Sequence, residues 1–191
     1  MLDRNAIENL AIRSARMPVY PDPRFPPSLY YRFLYLLATA VQPVYSVELG
    51  LCGGGGSLHL ALGWPSGKVV GVDVRREYPD NLAHIQQRCS NFEFWETDSV
   101  EAAAQAQANS YFPVDILFID TVHTYEQTLR EFNAWKGLFR KGRGSVVVLD
   151  DLFREGMLDA WNELPGREKI RLDGLHIGGA PTDGGLGVIL T

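Results

Sequence analysis

From Val44 to Asp150 the chain repeats one pattern, a short run rich in Val, Ile and aromatic residues followed by a stretch of helical composition. The runs are VYSVEL (44–49), KVVGVDV (68–74), FEFWET (92–97), VDILFI (114–119) and SVVVLD (145–150). Between them lie SLHLALG, NLAHIQQRC, SVEAAAQAQA and EQTLREFNAWKGLF. Strands this apolar, with no clean polar alternation, are expected to be covered on both faces. Strand, crossover helix and parallel strand in succession predict a doubly wound α/β sheet with helices on both sides. Beyond Asp151 the expectation is a helix over LFREGMLDAWNEL, then EKIRLDG and GLGVILT joined by a glycine-rich turn. Two strands so joined read as an antiparallel hairpin at the sheet edge.

Residues 1–42 stand apart from residues 43–191, although 191 residues is a single-domain length. Ile7, Leu10, Ala11 and Ser14 fall at helical spacing, with Asp3 as cap. Five prolines between positions 18 and 27 then exclude a helix there. Ser28 is placed to cap a second helix, LYYRFLYLLATAV, which must stop before Pro43. The aromatic residues Tyr20, Phe25, Tyr30 and Tyr31 read either as a lid over an acceptor or as packing across the sheet edge. The same segment offers a surface for a second copy, so a homodimer is among the expectations.

Composition removes several function classes. With 46% hydrophobic residues the chain can bury a full core. A net charge of −5 argues against a nucleic-acid surface, which needs a basic face. The uncharged stretch from Phe33 to Val47 is too short to span a bilayer, and MLDRNAIENLAIRSAR lacks the apolar core of a signal peptide. Two cysteines, Cys52 and Cys89, do not frame a disulfide scaffold, so reduced thiols and a cytoplasmic location are expected.

Chemistry concentrates at strand ends. In VELGLCGGGGS (47–57) a strand ends at Glu48, the chain turns through Gly50, and Gly53 to Gly56 lead to a helix expected to be capped by Ser57. Glycines permit close backbone approach, and free N–H groups at a helix start favour polar ligand groups. Asp73 closes the next strand, twenty-three residues beyond Gly50, where an acid accepts ribose hydroxyls. A dinucleotide pyrophosphate would be repelled by a carboxylate just before the loop. Glu48 therefore favours a ligand with an ammonium or sulfonium, S-adenosylmethionine, over NAD.

Asp120 and the pair Asp150–Asp151 end two further strands, with no lysine or arginine adjacent to neutralise them. Oxygen ligands of this kind suit Mg²⁺, Mn²⁺ or Ca²⁺. The alternative is that Asp150–Asp151 caps the next helix and Asp120 touches only the cofactor. His123 follows in a loop, either as a proton acceptor or as a loop organiser. His59 and His84 read as helix-face residues, His176 lacks informative neighbours, and Trp64, Trp95, Trp135 and Trp161 are assigned to packing.

ELGLCGGGGS, VVGVD, ETDS and DILFIDTVHTYEQTLREFNAW…GRGSVVVLDD resemble successive motifs of class I S-adenosylmethionine-dependent methyltransferases. The likeness is to the small-molecule O-methyltransferases related to macrocin and catechol O-methyltransferases, whose fourth motif reads Ile-Asp-Gly-x-His-x-Tyr-Glu. The resemblance implies a Rossmann-like seven-stranded sheet, mostly parallel, with an antiparallel last strand. It implies that Glu48, Gly50 and Gly54 hold the methionine end of the cofactor, with Ser57 in the same set, and that Asp73 holds the ribose. It puts Asp98 and Ser99 at the adenine edge and gives Asp120, Asp150 and Asp151 a divalent ion. His123 and Asp120 are then the catalytic pair, acting on a hydroxyl of a small-molecule acceptor. The sequence departs from the pattern by an extra glycine before Ser57 and by Thr121 and Val122, which leave no base at position 122. A cofactor-binding module without catalysis and a NAD-dependent oxidoreductase remain the rival readings.

Overall fold

The computed structural model describes residues 2–17, 24–25, 28–172 and 184–191. Tyr20, His176 and the glycine-rich turn before Gly184 lie outside the described residues. Seven strands form one sheet: β1 (Tyr45–Leu49), β2 (Lys68–Asp73), β3 (Phe92–Glu96), β4 (Val114–Ile119), β5 (Val146–Leu149), β6 (Glu168–Arg171) and β7 (Gly187–Leu190). Their order is β3-β2-β1-β4-β5-β7-β6. The first five run parallel, while β7 is antiparallel to both β5 and β6. The expected hairpin is present with its last strand inside, so β6 forms the edge.

Along β4, Ile116 and Phe118 pack into one apolar layer while Leu117 and Ile119 pack into the other. That is the period of two of a strand with helices on both faces. The first layer carries α1 (Arg4–Ser14), α2 (Leu29–Val41), α3 (Gly55–Gly63) and α4 (Pro79–Arg88). The second carries α5 (Ser99–Ala108), α6 (Tyr125–Trp135) and α7 (Met157–Glu163). In α6 the buried positions Thr128, Glu131, Phe132 and Trp135 make one helical stripe. Glu131 is a carboxylate on a face that should be apolar.

Asp3 caps α1 as expected, accepting the Ala6 N–H at 2.8 Å. Arg4 then ties α1 to the sheet edge, its backbone N–H to Glu168 (2.9 Å) and its guanidinium to the Lys169 carbonyl (2.8 Å). An edge strand covered in this way offers fewer free backbone groups to another chain. Ser28 precedes α2 but its side chain makes no capping bond. The region after Asp151 also differs from expectation: α7 starts only at Met157, behind Gly156. Asp150 and Asp151 therefore do not cap it.

Candidate active site

The strand order reverses between β1 and β4, and ligands in such sheets bind outside the strand ends at this switch point. Gly50 sits there with φ +88°, and a Cβ on it would lie 2.0 Å from the Asp120 carbonyl oxygen. Only glycine fits. The next turn of chain starts α3 at Gly55 with Gly54 as its cap residue, also left-handed at φ +79°. The cap expected at Ser57 thus falls three residues earlier, at Gly54, because the extra glycine lets the helix begin sooner. Ser57 lies inside the helix, fully buried, and donates its hydroxyl to Glu48. A Cβ on Gly56 would meet the Glu48 carboxylate at 2.2 Å, so this glycine lets α3 settle onto the acid.

Glu48 is 2% exposed. Burial pushes its carboxyl up to about 8, opposed by the Ser57 hydrogen bond. Burial thus opposes the charged form of this acid. Tyr31 lies over the same loop, stacked on His59 with ring centroids 5.2 Å apart. Tyr30 packs edge-on against Tyr31 and near Phe118. Burial first, then Tyr31 and the charges of Asp120 and Asp150, hold the Tyr30 phenol well above its ordinary value. Tyr30 therefore stands beside the acidic strand ends.

A cavity of about 540 Å³ opens over the ends of β1, β2 and β4. Among its walls are Gly50, Asp73, Asp98, Ser99 and Asp120 from the expected cofactor set. Glu48, Gly54 and Ser57 stand outside its lining. Asp73 Oδ2 accepts the Cys52 N–H at 3.0 Å, which fixes the glycine turn against β2. Asp98 Oδ1 caps α5, accepting from Val100 (2.8 Å) and Glu101 (3.2 Å). Sequence reasoning missed the Thr121, Gln127 and Glu131 wall. The available signal was the charged residue within the buried stripe of α6.

At the other side of Asp120 the acids meet. His123 Nε2 is 3.2 Å from Asp120 Oδ1 and 3.8 Å from Asp151 Oδ2. One ligand atom each from Asp120, His123 and Asp150 lies within 4.8 Å of the others. Asp151 is drawn instead to Arg154, at 2.5 Å. The trio that comes together is therefore Asp120–His123–Asp150. No lysine or arginine adjoins the acidic pair in sequence, but a turn after β5 brings Arg154 back onto Asp151. Burial and the charges of Asp120 and Asp151 push Asp150 up to about 7. Asp120 is raised by burial and by Asp151, against the pull of His123. For His123, burial acts downward but the bond and charge of Asp120 prevail, so the imidazole becomes more basic. Acids and an imidazole brought this close together have the oxygen-rich donor set that suits a divalent cation.

Cys52, His123 and Asp151, in the turns after β1, β4 and β5, all hold left-handed backbone (φ 44°, 50° and 52°). Such conformations are uncommon outside glycine and cluster where side chains must be aimed.

The fold recurs in solved structures. A cofactor-bound protein from MTB, Rv0187, is 23% identical over 98% of this chain and 90% of that one, at a TM-score of 0.70. An O-methyltransferase from Bacillus cereus in complex with SAH is 18% identical, over 100% and 93%, at 0.70. The O-methyltransferase TomG from Streptomyces achromogenes, in complex with SAM, is 17% identical, over 100% of both chains, at 0.67. At these identities the likeness is one of fold. Comparison with curated protein sequences gives no match. The family model described as "Methyltransferase domain" matches residues 47–152, more than half of the chain, which runs from β1 through the acidic cluster. The chain belongs to this methyltransferase-domain family.

Proposed function

We propose that this chain transfers a methyl group from S-adenosylmethionine to a hydroxyl of a small molecule, assisted by a divalent ion. The observation that carries the reading is the cavity lined by Gly50, Asp73, Asp98 and Asp120, adjoining the Asp120–His123–Asp150 cluster. Two of the similar structures contain SAM or SAH, which supports the choice of cofactor over NAD. The acceptor is small and not a nucleic acid, in keeping with the net charge of −5. Among the described residues no helix is long and apolar enough to cross a membrane, consistent with a cytoplasmic enzyme.

S-adenosylmethionine supplies an electrophilic methyl on a sulfonium. The protein's work is alignment and charge control. Asp73 would take the ribose hydroxyls, with its carboxylate already oriented by Cys52 and Arg75 backbone N–H groups. Asp98 and Ser99 would meet the adenine. Glu48, buried against Ser57, acts by holding α3 and the glycine turn. Asp120 and Asp150 would hold Mg²⁺, Mn²⁺ or Ca²⁺, with Asp151 behind them. A divalent ion lowers the pKa of a bound hydroxyl. His123 would take the proton of the acceptor hydroxyl as that oxygen receives the methyl group and the carbon–sulfur electron pair stays on sulfur. Tyr30 would wall the acceptor. One observation favours a second role for His123: its nitrogen is close enough to both acids to ligate the ion itself. Ion titration of His123→Ala separates the two.

S-adenosylhomocysteine should raise the melting temperature of the wild-type protein, because a ligand of the folded state stabilises it by mass action. Asp73→Ala should remove most of that shift. A shift with NAD and none with S-adenosylhomocysteine would contradict the proposal.

A further inference from the structure

Glu131 has no exposed surface, yet it lies directly behind the cavity wall. Three side chains donate to it. Ser99 Oγ and Gln127 Nε2 reach Oε1 at 2.6 and 2.9 Å, and Thr121 Oγ1 reaches Oε2 at 3.0 Å. The second Gln127 N–H goes to Ser99 Oγ at 3.1 Å, and the Gln127 carbonyl is fixed by Arg130 at 3.3 Å. Trp135 Nε1 donates to the Ser99 carbonyl at 2.9 Å, so Ser99 is held from both ends.

This network has a directional consequence. A hydroxyl has one proton and two lone pairs. With Glu131 as the carboxylate, Ser99 and Thr121 both spend their proton on it; Ser99 keeps one lone pair beyond the bond from Gln127, and Thr121 keeps two. Asp98, beside them, has Oδ1 occupied by helix N–H groups and Oδ2 with no partner among the described residues. The side chains of Asp98, Ser99 and Thr121 at this end of the cavity therefore present acceptors, not donors.

We propose that Glu131 is a positioning residue that sets base selectivity, turning the Ser99 and Thr121 protons inward so that the cavity selects a purine edge carrying an amino group. The inference rests on the adenosyl-cofactor reading and deepens it. A hypoxanthine base carries a carbonyl where adenine carries its amino group, and that oxygen would face the lone pairs of the wall. A buried polar group left without a complementary partner loses affinity. In Glu131→Gln the side-chain amide has its own N–H₂. Turned to Thr121, it makes that hydroxyl an acceptor and sends the Thr121 proton into the cavity.

The test is calorimetric titration of S-adenosylhomocysteine and S-inosylhomocysteine into wild-type, Glu131→Gln and Thr121→Val proteins, with the ligand-free melting temperature of each. The wild-type protein should prefer the adenosyl ligand by at least about tenfold. Both variants should melt within a few degrees of wild type and lose most of that preference. Thr121→Val does so by deleting one acceptor while leaving Glu131 its other two bonds. A purely structural role for Glu131 would weaken both ligands equally, and an unchanged ratio in folded variants overturns the proposal. If the wild-type protein binds neither ligand, the cofactor reading itself falls, and this inference with it.

Discussion

Asp115 and Asp120 stand five residues apart at opposite ends of β4, Asp120 just beyond its last residue. Asp115 is 4% exposed and its charge is fully answered: the Arg140 guanidinium grips both oxygens and the Val44 N–H adds a third bond at 2.7 Å. Among the described residues Asp120 has His123 as its one basic partner, and its other neighbours are the acids Asp150, with which it shares a hydrogen bond, and Asp151. One carboxylate serves to lock the chain as it enters the sheet. The other is held, partly buried, in a place where the fold supplies too few positive groups. One end of this strand is neutralised from within the chain, while the other lies over the switch point, where ligands of such sheets bind.

The largest effect should come from Asp120→Asn. Turnover should fall by about 10³-fold or more, a loss typical of removing a group that acts on developing charge. The ligand-free protein should melt a few degrees higher, since one of several mutually repelling carboxylates is gone. An assay with an identified acceptor, paired with calorimetry, reads both. Stability lost along with activity would make Asp120 a second Asp115.

Asp115→Ala should do the reverse. Breaking a buried pair leaves Arg140 uncompensated, at a cost of about 2–4 kcal/mol, toward the lower figure because Arg140 is a quarter exposed. Denaturant unfolding measures this. Affinity for S-adenosylhomocysteine in the folded fraction should stay within about twofold.

A pH-linked effect belongs to Glu48. Its carboxyl is raised by burial from 4.5 to about 8 in the folded protein. Between those values the folded state holds a proton that the unfolded state has released. Stability should therefore be greatest below about pH 4.5 for this group and fall as pH rises, by up to about 1.4 kcal/mol per pH unit, until about pH 8. Chemical unfolding across that range should show the decline, and Glu48→Gln should flatten it.

Much of this architecture can be read directly from the chain. Five runs of Val, Ile and aromatic residues predict the parallel core because both faces of each strand are apolar, as Ile116 to Ile119 show. Gly50, Asp73 and Asp120 carry their positions in the sequence because each closes a strand at the same edge. Local details were less legible. A run of four glycines has no side chains to mark where α3 starts, so Ser57 seemed a cap when it is a partner for Glu48. Arg154 reaches Asp151 only through a left-handed turn that spacing does not reveal. Gln127 and Glu131 carry no local mark in the helical stretch EQTLREFNAWKGLF, and only the buried stripe of α6 singles out Glu131. Polar groups that meet across elements leave little local signature, since only the packed fold brings Ser99, Thr121 and Glu131 together.

The contrast between the two ends of β4 is tested most directly by calorimetric titration of Mg²⁺, Mn²⁺ and Ca²⁺ into protein loaded with S-adenosylhomocysteine. Wild-type protein and Asp115→Ala should each take up one ion per chain, and Asp120→Asn should take up none. Absence of any ion binding, or binding that survives in Asp120→Asn, would contradict the view that this end of the strand is built to be completed by a cation.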